Sequence, residues 1–177
     1  MADWVALLYS VVLTPTRRVT SADLIQLATR LGFSDVKTVL STGNLIFDVT
    51  GEEGELARRI EAEIARSWGK AIPVLLRSAQ EWRAMVANNP FPQETLRDAA
   101  KVAVRVMRTD PEAEIVARIA ARRAVDEGFA ATPRALWFAS PRQLSVSPLL
   151  RAIAAPKVGV GTLRNGSAIA KIAAALD

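Results

Sequence analysis

The sequence predicts an α+β protein of two tandem lobes, each ordering its strands and helices βαββαβ and each followed by a further helix. Three observations carry this. Runs of β-forming apolar residues alternate with segments of helical apolar spacing, and the series occurs twice within 177 residues. The stretch Asn88-Asn89-Pro90-Phe91-Pro92 separates the two series and sets lobe boundaries of 1–88 and 89–177. Pro73 sits in the fourth apolar run, and a residue without an amide hydrogen belongs on a sheet edge. The ferredoxin-like sheet, with strand order 4-1-3-2, places its fourth strand on an edge.

Each element has a local reason. Residues 4–9 form a short, partly aromatic apolar run and read as the first strand, followed by a loop over 10–19. Thr20 with Asp23 makes a capping-box-like start for a helix whose Leu24, Leu27, Ala28 and Leu31 share one face, and Gly32 supplies a left-handed stop. Residues 36–40 and 45–49 are strands joined by Ser41-Thr42-Gly43-Asn44, where Gly and Asn tolerate positive φ. A helix over 53–68 turns Leu56, Ile60 and Ile64 inward and stops at Gly69; a strand over 72–76 follows. Ser78 with Glu81 opens a short helix carrying Trp82, Met85 and Val86.

In the second series, 102–107 reads as a strand and Asp110-Pro111 as a cap and first-turn proline, with Ile115, Val116 and Ile119 facing inward. Residues 128–131 and 135–139 form a hairpin around Thr132-Pro133-Arg134. Ser147-Pro148 opens a helix with Leu149, Leu150 and Ile153, residues 158–161 form a short strand, and Ile169, Ile172, Ala173 and Leu176 mark a closing helix. The first strand and 135–139 are apolar on both alternating faces. Both faces of each sheet are therefore expected to be covered, by helices on one side and by the other lobe or a second copy of the chain on the other. That leaves no open aromatic platform of the kind single-strand RNA readers use.

Composition narrows the chemistry. The chain has no Cys and no His, which excludes disulfides, thiol nucleophiles, Cys/His metal centres and imidazole acid–base catalysis within it. Lys+Arg number 23 against 18 Asp+Glu, a formal charge of +5, and only five of the cations are lysines. Arginine forks suit phosphate and carboxylate, but the cations are scattered rather than gathered in a basic stripe. No cationic leader opens the chain and no apolar run reaches the ~18 residues of a membrane span, so a cytoplasmic protein with no membrane partner is expected.

Four segments resemble a bacterial family of conserved proteins of unknown function: Val5-Ala6-Leu7-Leu8; Leu31-Gly32-Phe33 through Ser41-Thr42-Gly43-Asn44-Leu45-Ile46-Phe47; Asn89-Pro90-Phe91-Pro92; and Thr162-Leu163-Arg164-Asn165. The resemblance spans essentially the whole chain and implies a small soluble protein with two related α+β lobes. It implies no activity. Typical members follow the first strand with a glycine-rich loop whose amides could wrap an anion, whereas this chain reads Tyr9-Ser10-Val11-Val12-Leu13-Thr14-Pro15-Thr16. Typical members also continue Arg-Asn with Trp-Asn, where this chain has Gly166-Ser167.

Strand polarity brings Arg17, Arg18, Ser41, Thr42, Asn44 and Lys70 to one rim of the first lobe, beside a helix N-terminus, as a candidate anion site. Arg164 and Asn165, ahead of the last helix, are a second candidate pair: Asn suits a cap, and Arg a carboxylate or phosphate. Gly159-Val160-Gly161 lacks the remaining parts of a dinucleotide fingerprint. Glu52, Glu53 and Glu55 suit a helix start rather than a metal, and Trp4, Trp68, Trp82 and Trp137 fall on apolar faces. The sequence singles out no catalytic residue, metal or cofactor. It points to a non-catalytic binding protein for an anionic small molecule or nucleic-acid phosphate. The alternatives are an enzyme using carboxylate, Lys or Arg groups between the lobes, and a module that assembles as a homodimer.

Overall fold

The computed structural model describes residues 3–41 and 43–176. They form two compact units, Met1–Ala84 with Lys171–Asp177, and Met85–Ala170. Residues 171–177, which the sequence reading assigns to 89–177, group with the first unit, where Lys37 Nζ donates to Ala175 O at 2.9 Å and Arg83 Nη2 to Leu176 O at 2.8 Å.

The first unit contains β1 (Asp3–Leu8), a small hairpin of β2 (Val12–Thr14) and β3 (Arg17–Arg18), α1 (Ser21–Arg30), β4 (Ser34–Thr38), β5 (Asn44–Asp48), α2 (Glu53–Trp68), β6 (Val74–Ser78) and the start of α3 (Ala79–Ala87). Its sheet runs β4-β5-β1-β6, all antiparallel, with Val5 opposite Ile46 and Ala6 opposite Leu76. This is the ferredoxin-like order, with the fourth strand on the edge. Pro73 lies just before that strand rather than in it; the strand begins two residues later than the apolar run suggests. Pro73 contributes only its carbonyl, which accepts from Tyr9 N at 3.0 Å. The 10–19 segment, expected as a loop, closes on itself as β2–β3, and Tyr9 lies beyond β1, 41% exposed.

Local signals account for the helices. Thr20 and Asp23 form the full capping box of α1, and Gly32 at φ 72° lets the Phe33 and Gly32 amides return to Ala28 O and Thr29 O, a Schellman close. Ser78 and Glu81 repeat the capping box at α3. Trp4, Ala6, Leu8, Phe47 and Leu76 pack against Leu24 and Leu27 of α1 and Ile60 and Ile64 of α2. Phe33 stacks on Phe47 with centroids 4.2 Å apart. The opposite face, with Val5, Leu7, Ile46 and Leu75, is buried as well, as a doubly apolar β1 requires.

The second unit contains α4 (Pro92–Arg97), β7 (Val102–Met107), α5 (Ala113–Ala120), β8 (Gly128–Thr132), β9 (Ala135–Ala139), α6 (Pro148–Ala154), β10 (Gly161–Asn165) and the start of α7 (Gly166–Ala174). Its sheet order, β10-β7-β9-β8, repeats the 4-1-3-2 arrangement. Three expectations are corrected. The Pro-rich boundary contains α4, an unanticipated short helix with Pro92 in its first turn. Helix α5 starts at Ala113 and not at Asp110-Pro111, because the Asp110 carboxylate accepts from Arg134 N at 2.7 Å and braces the β8–β9 turn, where Arg134 sits at φ 53°. The fourth strand is 161–165 rather than 158–161, because Pro156–Val158 winds into a 3-10 turn.

One buried cation organises this unit. Arg105 of β7 is 2% exposed on the helix-facing side of the sheet. Its guanidinium donates to the carbonyls of Ile153, Ala155 and Gly159, fixing the end of α6 and the turn after it. Gly161 makes room for this: a Cβ there would lie 2.7 Å from Arg105 Nε and 2.9 Å from Val106 O. Around it pack Met107, Ile119, Leu136, Phe138, Leu149 and Ile153.

Candidate functional site

Strand direction does bring the anticipated segments of the first unit to one end of its sheet. Leu8 N donates to Gly43 O and Tyr9 N to Pro73 O, each at 3.0 Å, so the exit of β1, the β4–β5 turn and the approach to β6 meet there. The side chains are used unequally. Arg17 and Arg18 are exposed on β3, and Arg17 lies 3.7 Å from Asp23, whose carboxyl is held below its ordinary range mainly by the Thr20 amide. Lys70 Nζ donates to Val12 O at 2.6 Å and straps the small hairpin. Asn44, expected on the rim, is fully buried in β5, where its Nδ2 donates to Val39 O at 2.8 Å and closes the turn. Ser41 is exposed, and Thr42 lies outside the described residues.

Arg164 and Asn165 belong to the second unit. Arg164 lies within β10 opposite Val104, 7% exposed, and that strand runs directly into α7. Its Nη1 donates to Thr162 Oγ1 and Leu163 O, both at 2.8 Å, and burial pushes the guanidinium down to about 10, still a cation at neutral pH. Asn165 Oδ1 accepts from Ala168 N at 2.9 Å, an N-cap bond at the start of α7.

A different constellation lies on the helical side of the second unit. Helix α5 presents Ile115, Arg118 and Ile119 at i, i+3 and i+4, the turn after it adds Arg122, and α6 with its following turn presents Pro148, Arg151, Ala152 and Lys157. Together they line a groove of about 370 Å³, completed by Ala155 and Val158. Ile119 and Val158 form its dry floor, 4% and 3% exposed. Four cations line it and no carboxylate does; Glu114, one turn before Arg118 on α5, approaches that guanidinium only to 3.9 Å in an exposed pair. A wider cavity of about 550 Å³ in the same unit mixes Glu94, Asp98 and Asp126 with Arg97 and Lys101, so its lining carries no cationic excess.

The groove was not visible in the sequence as a site. The alternation of aliphatic residues with Arg along α5 is a local signal, but it reads as an inner face with a charged flank. Only the adjacency of α5 and α6 converts two such flanks into one cationic enclosure.

Residues 1–137 match a family described as "Protein of unknown function (DUF1697)". Among solved structures, "conserved bacterial protein SP0830 from Streptococcus pneumoniae" is similar with a TM-score of 0.78 and 20% identity, covering 99% of this chain and 99% of that one. None of the curated proteins matches the sequence. Among the described residues no helix is long and apolar enough to cross a membrane.

Proposed function

Because the chain belongs to the DUF1697 family of proteins of unknown function, whose description names no reaction, we propose from the chemistry of its second unit that it is a non-catalytic binding protein for anionic small molecules. The observation that carries this reading is the α5–α6 groove, with Arg118, Arg122, Arg151 and Lys157 lining it and no carboxylate among the lining residues. Arginine heads on aliphatic stems can lean over an anion while their methylenes extend the apolar floor. The lining supplies no carboxylate, hydroxyl or imidazole for proton transfer, which favours binding over catalysis.

The test is titration of inorganic pyrophosphate followed by amide chemical shifts at low and moderate salt. Saturable shifts confined to 113–122 and 148–158, weakened by salt, support the reading. The double variant Arg118→Gln, Arg151→Gln should weaken binding at least tenfold. Binding that ignores this variant, or no binding, overturns it.

A further inference from the structure

Resting on that binding reading, we propose that the groove takes a phosphorylated aliphatic chain, an alkyl- or prenyl-type phosphomonoester or diphosphate, rather than a nucleotide or sugar phosphate. The lining divides into two chemical kinds only. Besides its four cations, every lining residue is aliphatic: Ile115, Ile119, Pro148, Ala152, Ala155 and Val158. No aromatic ring is present to stack a base, and no amide or hydroxyl side chain to read a base edge or a sugar ring. A polar body laid on Ile119 and Val158 would lose its water there with only the four cationic donors, and no side-chain acceptor, to replace it, and incompletely paired groups are penalised. An aliphatic body meets no such cost.

The dimensions agree with a single chain. From Ile115 to Ala120 the α5 wall runs about 8 Å at the helical rise, and the turn carrying Arg122 extends it, enough for roughly eight carbons in all. The volume, about 370 Å³, is at the low end of small-ligand sites. Arg118 and Arg151 are exposed on opposite helices, placed to receive an anionic head while the tail follows the floor. Arg105, beneath, holds Ile153 O and Gly159 O and so keeps the α6 wall in place.

Calorimetric titration of the full chain with butyl, octyl and dodecyl phosphate below their aggregation concentrations, alongside pyrophosphate, ADP and octanol, separates the alternatives. Each buried methylene is worth up to roughly fourfold, so octyl phosphate should bind at least tenfold tighter than butyl phosphate, with little further gain at dodecyl. Octanol and ADP should bind at least tenfold more weakly than octyl phosphate. Ile115→Ser, at a half-buried position, should flatten the chain-length dependence, while Arg118→Gln should lower affinity for every phosphate and leave that dependence intact. Pyrophosphate binding with no chain-length dependence, or ADP matching octyl phosphate, overturns this inference and leaves anion binding standing. Octanol matching octyl phosphate, or no binding by any compound, overturns both. The chain-length series on the wild-type protein decides the matter even if Ile115→Ser fails to fold.

Discussion

Replacing Arg105 tests whether a buried guanidinium holds the second unit's helical layer together. Arg105→Met keeps most of the aliphatic stem and removes the donors to Ile153 O, Ala155 O and Gly159 O. Charge-assisted bonds of this kind contribute about 1.5–3 kcal/mol each, and the Ala155 contact, at 3.3 Å, is the weakest of the three. Two good bonds therefore suggest a loss of about 3–6 kcal/mol. Part of this is offset because a charged group 2% exposed no longer has to be desolvated. The net expectation is about 3 kcal/mol of destabilisation, read from equilibrium urea unfolding as a lower midpoint at unchanged slope. Arg105→Lys, a point charge without the fork, should recover less than half of it. Hydrogen exchange should quicken first at the Val158 and Gly159 amides, which close the turn that Arg105 braces. A loss below about 1 kcal/mol for Arg105→Met, or a lysine variant equal to the wild type, would refute the argument.

Two further outcomes follow from the same structure. The Glu63 carboxyl accepts from Arg66 Nε at 2.8 Å, Arg66 Nη2 at 2.7 Å and Ser67 Oγ at 2.6 Å, and the Arg66 bonds above all hold it down to about 2 from its ordinary 4.5. A carboxylate depressed in the folded state stabilises above its unfolded pKa and loses that contribution as pH falls through the folded one. The gap between wild type and Glu63→Gln in urea midpoint should therefore be constant above pH ~5 and close between pH 4.5 and 2; an equal gap at pH 7 and at the acid end counts against it. Ser147 caps α6 through Leu149 N and Leu150 N and donates to the buried Glu127 Oε1 at 2.6 Å, so Ser147→Ala should cost about 2–3 kcal/mol and lower Tm by about 5–10 °C in a thermal melt, a fall under about 2 °C being too small for these roles.

The elements that the sequence specifies well are those with short-range signals. Thr20 with Asp23, Ser78 with Glu81, Gly32 and Gly69 each bond or bend within a few residues, so α1, α2 and α3 begin and end where their residues say. Where a distant partner competes, the local reading slips. Asp110 looks like a helix cap until the β8–β9 turn takes its carboxylate, and Val158 looks like a strand until the 3-10 turn held from below by Arg105 reclaims it. Asn44 was legible as a turn residue but not as a buried one, because its solvent exposure depends on the β4–β5 register and not on its neighbours in sequence.

The sequence by itself determined the βαββαβ order of the main elements in each half, the doubly apolar strands and, through that order, a sheet in which the fourth strand lies on the edge. These depend on periodicity and backbone restriction, which act over a few residues. Tertiary structure alone decided which charges are buried and which face a common space. Arg105 and Arg164 withdrew into their sheet, Lys70 was spent on a backbone carbonyl, and Arg118, Arg122, Arg151 and Lys157 came to line one groove although α5 and α6 are separated in sequence by a hairpin. Electrostatic enclosure is a property of surfaces brought face to face, and no spacing within one helix encodes its partner.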